Sequence, residues 1–547
     1  MSTVSKQISP GSSGSARFEA GVEPPLPAGE GQAVQRTRGS RAGVIIFIAL
    51  FLTVCLVHAS NIWRLDTHPF VDLPNHLAEA YIYKNYPDKS GPWSDYFRVE
   101  ISFFRPTSLH SIFCSFFDDV ETGNKVYYTL YIFILMISML ALVILAKGNV
   151  WLSLLASLYI YNFNMMWGYT GFTLGVALAL ADTVLLDLYL EKPSFVRLAM
   201  LAGLTFSLFY AHVLVLQFMA PIIFAALILG RRLTPAQRIM GLLSLLPAVV
   251  VFTVWVMSSE EFRGHGSILN ALINYYRWEY LATLPSRLYQ LLYQTNSWLS
   301  SDSPIAIIFT LPVLIAVALL VPGLFKPETR TCNARITAVL FTLMAAGCYF
   351  LLPAGLPGQL MIYDRYVVFT CLGLVWLLSS LIPRTRRFLT LALVIALVSL
   401  HSGLWLDYFN EFKNQAASFR SLLNQSDLLR GKSLVSLFDH PDFRGHPAFR
   451  HFQNYHLLWD KGVALTRIIE YRFGIIRRAK KGKVLPSYSE WVDGRTICSS
   501  FMNQYRYFDF LLTFGTKPFK EFNQCQGYAL VGRSGSWALF KNLLKKQ

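Results

Sequence analysis

The chain has 547 residues, of which 54% are hydrophobic and only 15% charged, with a net charge of +17. A soluble protein holds about a quarter charged residues; here the mean hydropathy of +0.40 comes from apolar runs of about 18–20 residues, enough to cross about 30 Å of hydrocarbon as helices. A soluble globular protein is excluded, and the positive charge needs no nucleic acid, since it falls in loops between spans and in a basic C-terminal region.

Residues 1–42, rich in Ser, Gly, Pro and charge, predict a disordered cytoplasmic tail. The apolar run Ala42–Ala59 follows Arg36, Arg38 and Arg41. Val57-His58-Ala59 has cleavage-like spacing, but the long hydrophilic leader favours a retained first span. Further spans are expected at 126–146, 149–163, 170–189, 195–210, 213–229, 238–257, 303–322, 334–352, 365–382 and 388–405, about eleven in all. The segment 101–118 is apolar but broken by Arg105, Pro106 and His110, and charge decides its reading. If it does not cross, Lys147, Lys192, Arg231, Arg232, Lys326, Arg330, Arg335, Arg384, Arg386 and Arg387 all lie on the side of the N-terminus, as the positive-inside rule requires. It is therefore read as an interfacial or re-entrant helix.

The expected organisation is a transmembrane domain over 43–405 with a first outer loop at 61–125. It is followed by an extracytoplasmic domain over 406–547. In that last domain Ser433–Phe438, Tyr507–Thr513, Tyr528–Gly532 and Ser536–Phe540 read as strands between turn residues, giving a small α/β unit. The fold class is thus mostly α: a polytopic membrane helix bundle with a C-terminal α/β domain.

Seven cysteines are too few for a disulfide scaffold. Cys55, Cys114, Cys348 and Cys371 have apolar neighbours, whereas Cys498 and Cys525 fall in the polar C-terminal domain and are expected to pair if it lies outside the cytoplasm. No ligand spacing predicts a metal site. His440, His446, His451 and His456 do not stack on one helical face and read as surface histidines. No resident cofactor is indicated, and a divalent cation is left open.

Chemistry concentrates just after the first span, in V-D-L-P-N-H-L, Val71–Leu77. Pro74 suits the first turn of a helix, which makes Asp72 or Leu73 its N-cap. His76, Glu79 and Tyr83 then share one helical face. Asp72 has two readings: a helix cap, or a general base with His76 beside it. Around it on the outer face stand Arg105 and His110, which could hold a phosphate or a lipid headgroup. Asn162 and Asn164 lie within Y-N-F-N-M-M-W-G-Y and could hydrogen-bond a sugar. His212 sits in a tight turn, and the pair Asp364-Arg365 opens a span. Asp182 is the one clear acid inside a span, the residue a transporter would use.

The D-L-P-N-H-L-A string resembles the signature of a family of bacterial multi-pass membrane proteins. So do Tyr161–Gly175, Tyr210-Ala211-His212 and the closing Tyr507–Phe540 pattern. More distantly the chain is similar to the GT-C glycosyltransferases. That resemblance implies an inner-membrane enzyme that moves a sugar from a polyprenyl-phosphate donor to an envelope glycan or lipid acceptor. Asp72 matches the first-loop acid and His76 stands next to it, while Glu79 departs from the pattern, which more often has a basic residue there. The residues expected to bind substrate are Glu79, Arg105, His110, Asn162, Asn164, His212, Asp364 and Arg365. The alternatives are a flippase or transporter of a lipid-linked precursor, or a non-catalytic envelope scaffold; membrane lipids are partners in each case.

Overall fold

The computed structural model describes residues 30–87, 93–230, 232–258, 272–299, 304–322, 333–356, 359–382, 387–423, 427–464, 474–479 and 508–545. It is mostly helical, and among the described residues seven helices are long and apolar enough to cross a membrane. They are Arg41–Trp63, which belongs to α1 (Glu30–Trp63), Val120–Leu145, Thr170–Glu191, Pro235–Ser258, Asn333–Leu351, Tyr363–Leu381 and Thr390–Leu423; three shorter apolar helices, Phe195–Ala211, Val213–Leu229 and Pro304–Leu319, accompany them.

Three expectations need correction. α1 begins at Glu30, so residues 30–42 of the expected disordered tail are helical; Glu30, Gln32, Ala33 and Gln35 are helix formers that let the apolar helix extend backwards. The run 149–163 is not an α-helix but a 3-10 helix over Val150–Tyr159 followed by the single turn Phe163–Met166. A 3-10 helix rises about 2.0 Å per residue, so this short segment stretches as far as a longer α-helix would. In 101–118 only Leu109–Ser115 is helical, because Pro106 and the left-handed Thr107 at φ 59° interrupt it. The exposed Ile101, Phe103 and Phe104 precede it.

Asp182 is wholly buried and accepts from the Thr205 hydroxyl at 2.9 Å; Asp187, further along the same helix, accepts from Thr337 at 2.6 Å. Both acids act as polar ties between neighbouring helices.

The C-terminal residues form a sheet. In chain order its strands are β2 (Ser433–Phe438), β3 (Val463–Ala464), β5 (Phe510–Phe514), β6 (Tyr528–Ser534) and β7 (Trp537–Asn542), arranged β3-β2-β5-β7-β6. β2 and β5 run parallel, while β7 is antiparallel to both β5 and β6. Alternation along β2 splits its side chains. Val435 and Leu437 join a core with Ala78, Ile82 and Phe97 from the first loop. Phe438, on the other face, meets Trp537, which packs on Phe419 of the helix Arg387–Leu423. The first loop also supplies β1 (Phe97–Val99), which pairs antiparallel with β4 (Ile476–Arg478). The sheet and the first loop therefore share one core.

Candidate functional site

The helix α2 (Leu73–Asn85) starts as expected, with Pro74 in its first turn and Asp72 at the N-cap position. The Asp72 side chain, however, makes no cap hydrogen bond. The backbone is held instead from behind: Val71 N–H donates to the Met166 carbonyl and Asp72 N–H to the Trp167 carbonyl, each at 3.0 Å. Gly168 makes this approach possible. Its φ is +75°, and a Cβ there would lie 2.6 Å from Leu73 N and 2.7 Å from Asp72 N, so only glycine fits. Two motifs far apart in sequence are thus stitched together at the main chain, leaving the carboxylate to face elsewhere.

It faces His451, whose Nε2 stands 3.5 Å from Asp72 Oδ1. His451 is 2% exposed and sits in the left-handed region at φ 65°, an unusual conformation for a residue other than Gly, Asn or Asp. The expectation of four surface histidines is corrected here. Only His440 is well exposed; His446 stacks on Trp298 with centroids 4.1 Å apart, and the buried His456 bonds Asp460 at 2.8 Å. Spacing could not reveal His451, because a left-handed turn, not a helix face, aims it.

The other expected residues sort into groups. His76 is a quarter exposed, 3.9 Å from Glu79 and with its ring centroid 5.9 Å from that of His110. Glu79 is buried and structural: Oε1 accepts from the N–H groups of Ile475 and Ile476 at 2.5 and 3.3 Å, and Oε2 accepts from Ser111 at 3.0 Å. Burial alone would raise its pKa, but His76, Ser111 and the Ile475 amide outweigh it and hold the carboxyl below its ordinary value. His110 lies 3.0 Å from Asn124 Oδ1; burial and the nearby His76 push it down to about 3, so it stays neutral. Arg105 is held by Glu100 at 3.2 Å, with Arg98 and Arg477 on the same carboxylate.

Asn162 does not face a ligand. Its Oδ1 accepts from Asn164 N–H and its Nδ2 donates to Tyr131 and Tyr159, so it caps the turn that carries Trp167 and Gly168. Asn164 donates to the Arg365 carbonyl at 3.0 Å. Asp364 accepts from Gln294, and both side chains are buried.

Arg365 and His212 do converge. The guanidinium lies over the Tyr169 ring at 4.0 Å, donates to the Met361 carbonyl, and places Nη1 3.2 Å from His212 Nε2. His212 occupies the turn between Phe195–Ala211 and Val213–Leu229, and its Nδ1 accepts from Leu214 N–H at 3.2 Å. Burial, then Arg365 and His76, keep its pKa well below the usual range, so the ring is neutral. A neutral ring accepts at only one of its two nitrogens, so the Leu214 amide and the Arg365 guanidinium cannot both be satisfied by it. With Nδ1 as the acceptor, Nε2–H and the Arg365 N–H form a pair of donors that an anionic oxygen would complete. Among the described residues seven non-glycine residues have positive φ, and Thr107, Met361 and His451 of these border this region.

Among the described residues no group of His, Cys, Asp and Glu is arranged to hold a metal ion. No protein-family model matches the chain, and no curated protein is similar to it.

Proposed function

We propose that the protein is a GT-C-like membrane glycosyltransferase that moves a sugar from a polyprenyl-phosphate donor to an envelope glycan or lipid acceptor. The observation that carries this reading is the Asp72 carboxylate, which stands at a helix N-cap, performs no capping, and is presented towards His451. In the transfer an acceptor hydroxyl attacks the anomeric carbon and the bond from that carbon to the phosphate oxygen breaks. Asp72 takes the hydroxyl proton, as a weak nucleophile requires. The departing phosphate gains negative charge, and the paired donors of Arg365 and His212 are suited to receive it. His76 is close enough to influence His212 electrostatically, and His451 stands beside the base at 3.5 Å.

The same reading places the N-terminus in the cytoplasm of a bacterial cell and the sheet domain outside the inner membrane. It counts eleven crossings: the seven long helices, the three shorter ones and the 3-10 segment Val150–Tyr159. Cys525 is disulfide-bonded, which fits an oxidising compartment; its expected partner Cys498 lies outside the described residues.

The test is release of polyprenyl phosphate by the purified protein in proteoliposomes, offered a panel of polyprenyl-phosphate sugars with envelope acceptors. Asp72→Asn should cut release by about a hundredfold or more with unchanged thermal unfolding, since the Asp72 side chain makes no cap hydrogen bond that could be lost. Release from no donor, or full activity in Asp72→Asn, refutes the proposal.

A further inference from the structure

A second polar site lies away from Asp72, where α1 and the helix Arg387–Leu423 emerge side by side. The two are neighbours, since the Ser402 hydroxyl lies 3.4 Å from His58 Nε2. α1 ends at Trp63, and the longer helix becomes charged from Asp407 onward. Between them is a notch lined by Leu65, Asp66 and Thr67 on one side and by Lys413, Ala416, Ala417, Arg420 and Ser421 on the other. Positions 413, 416, 417 and 420 share one helical face, so two alanines leave a gap between two cations.

The charges in this gap have an unusual order. Arg420 bridges Asp66 at 2.5 Å, with the two side chains 44% and 60% exposed. Exposed pairs of this kind hold weakly and open readily. Lys413 is not neutralised by the acids of its own helix, because Asp407 and Glu411 are both taken by Arg444. A purely anionic ligand would have to face Asp66, and a purely cationic one would meet Lys413 and Arg420. A zwitterion satisfies both signs at once. The notch follows directly on α1, a helix long and apolar enough to cross a membrane, so lipid headgroups lie at its level.

We propose that this notch binds the headgroup of a phosphatidylethanolamine-type lipid, with the phosphate against Lys413 and Arg420 and the primary ammonium against Asp66. None of these residues belongs to the Asp72 site, and the proposal does not depend on glycosyl transfer.

Native mass spectrometry of the full-length, delipidated protein reads it directly. Phosphatidylethanolamine, phosphatidylglycerol and phosphatidylcholine of equal chain length are offered in turn. Phosphatidylethanolamine should be retained best, because the glycerol headgroup has no cation and the choline headgroup has no N–H to donate. Lys413→Ala should lower its retention about tenfold, the worth of one charge-assisted hydrogen bond. Asp66→Asn should reverse the order in favour of phosphatidylglycerol. Ala417→Leu, at an exposed position and with no change of charge, should fill the notch and reduce retention of all three, while thermal unfolding confirms that the variant folds. Equal retention of phosphatidylethanolamine and phosphatidylglycerol by the wild type overturns the proposal. So does undiminished retention of phosphatidylethanolamine in either Lys413→Ala or Ala417→Leu.

Discussion

Glu79 joins the first loop to the sheet domain, and its removal has a calculable consequence. Its carboxylate satisfies two buried amides, those of Ile475 and Ile476, and the Ser111 hydroxyl. Glu79→Ala leaves both amides without an acceptor. At about 1–3 kcal/mol for each stranded buried donor, and allowing for partial rescue by water, the loss is about 2–5 kcal/mol. Glu79→Gln keeps one acceptor oxygen and lets the Ser111 hydroxyl turn to accept; it forfeits only the charge-assisted part, about 1–2 kcal/mol. Hydrogen exchange of residues 474–479 in the full-length protein reads the effect, because that segment should open first. pH provides an internal control. The Glu79 pKa is depressed in the folded protein relative to its ordinary 4.5, so its contribution is present above that value and lost as pH falls through the lower folded value. Wild-type protection of 474–479 should therefore fall on acidification, whereas protection in Glu79→Gln should be already reduced at neutral pH and less sensitive to acid. Unchanged exchange of this segment in Glu79→Ala would refute the assignment of Glu79 as a tie and restore it as a candidate substrate ligand.

Two further outcomes test the site itself. Gly168→Ala must push against Leu73 N and Asp72 N while holding φ at +75°; it should lower stability by about 1–3 kcal/mol and displace Asp72, read as a lower thermal midpoint together with reduced polyprenyl-phosphate release. Arg365→Lys keeps the charge but loses the fork that reaches His212 and the Met361 carbonyl and the plane that stacks on Tyr169. Release should fall about tenfold or more with this change, and equal activity would show that the Arg365–His212 pair does not handle the leaving group.

The membrane body was legible because hydrocarbon thickness imposes a length on apolar runs, and each of the seven long helices overlaps a run visible in the sequence. The strand Ser433–Phe438 was legible too, with the same bounds, because a short run between turn residues reads as a strand, and here it is buried along its whole length. The segment 149–163 was not. Apolar content gives no signal between an α-helix and a 3-10 helix, and this choice is made by packing, with Leu152–Tyr159 buried throughout. Glu79 was legible in part: spacing put it on a face with His76, where the two stand 3.9 Å apart, but its hydrogen-bond partners include main-chain amides about four hundred positions away. Amides carry no side-chain identity, so no motif could announce them.

The Asp72 motif combines both situations. Its Pro and His are readable, yet whether the acid caps a helix or stands ready for chemistry is decided outside the motif. Trp167 and Met166 fix the preceding main chain from behind, Gly168 allows the close approach, and α2 begins in αR geometry at Asp72 with φ −91° and ψ −4°. N-capping side chains act from residues in the extended region, and Asp119, Asn162 and Ser194 in this same chain do so from extended backbone. Asp72, already helical, cannot turn its carboxylate back onto the N2 and N3 amides. The contacts that deny it a capping role also present it to His451, so the conformation of one residue removes the cap reading and leaves the general-base reading to the Asp72→Asn test.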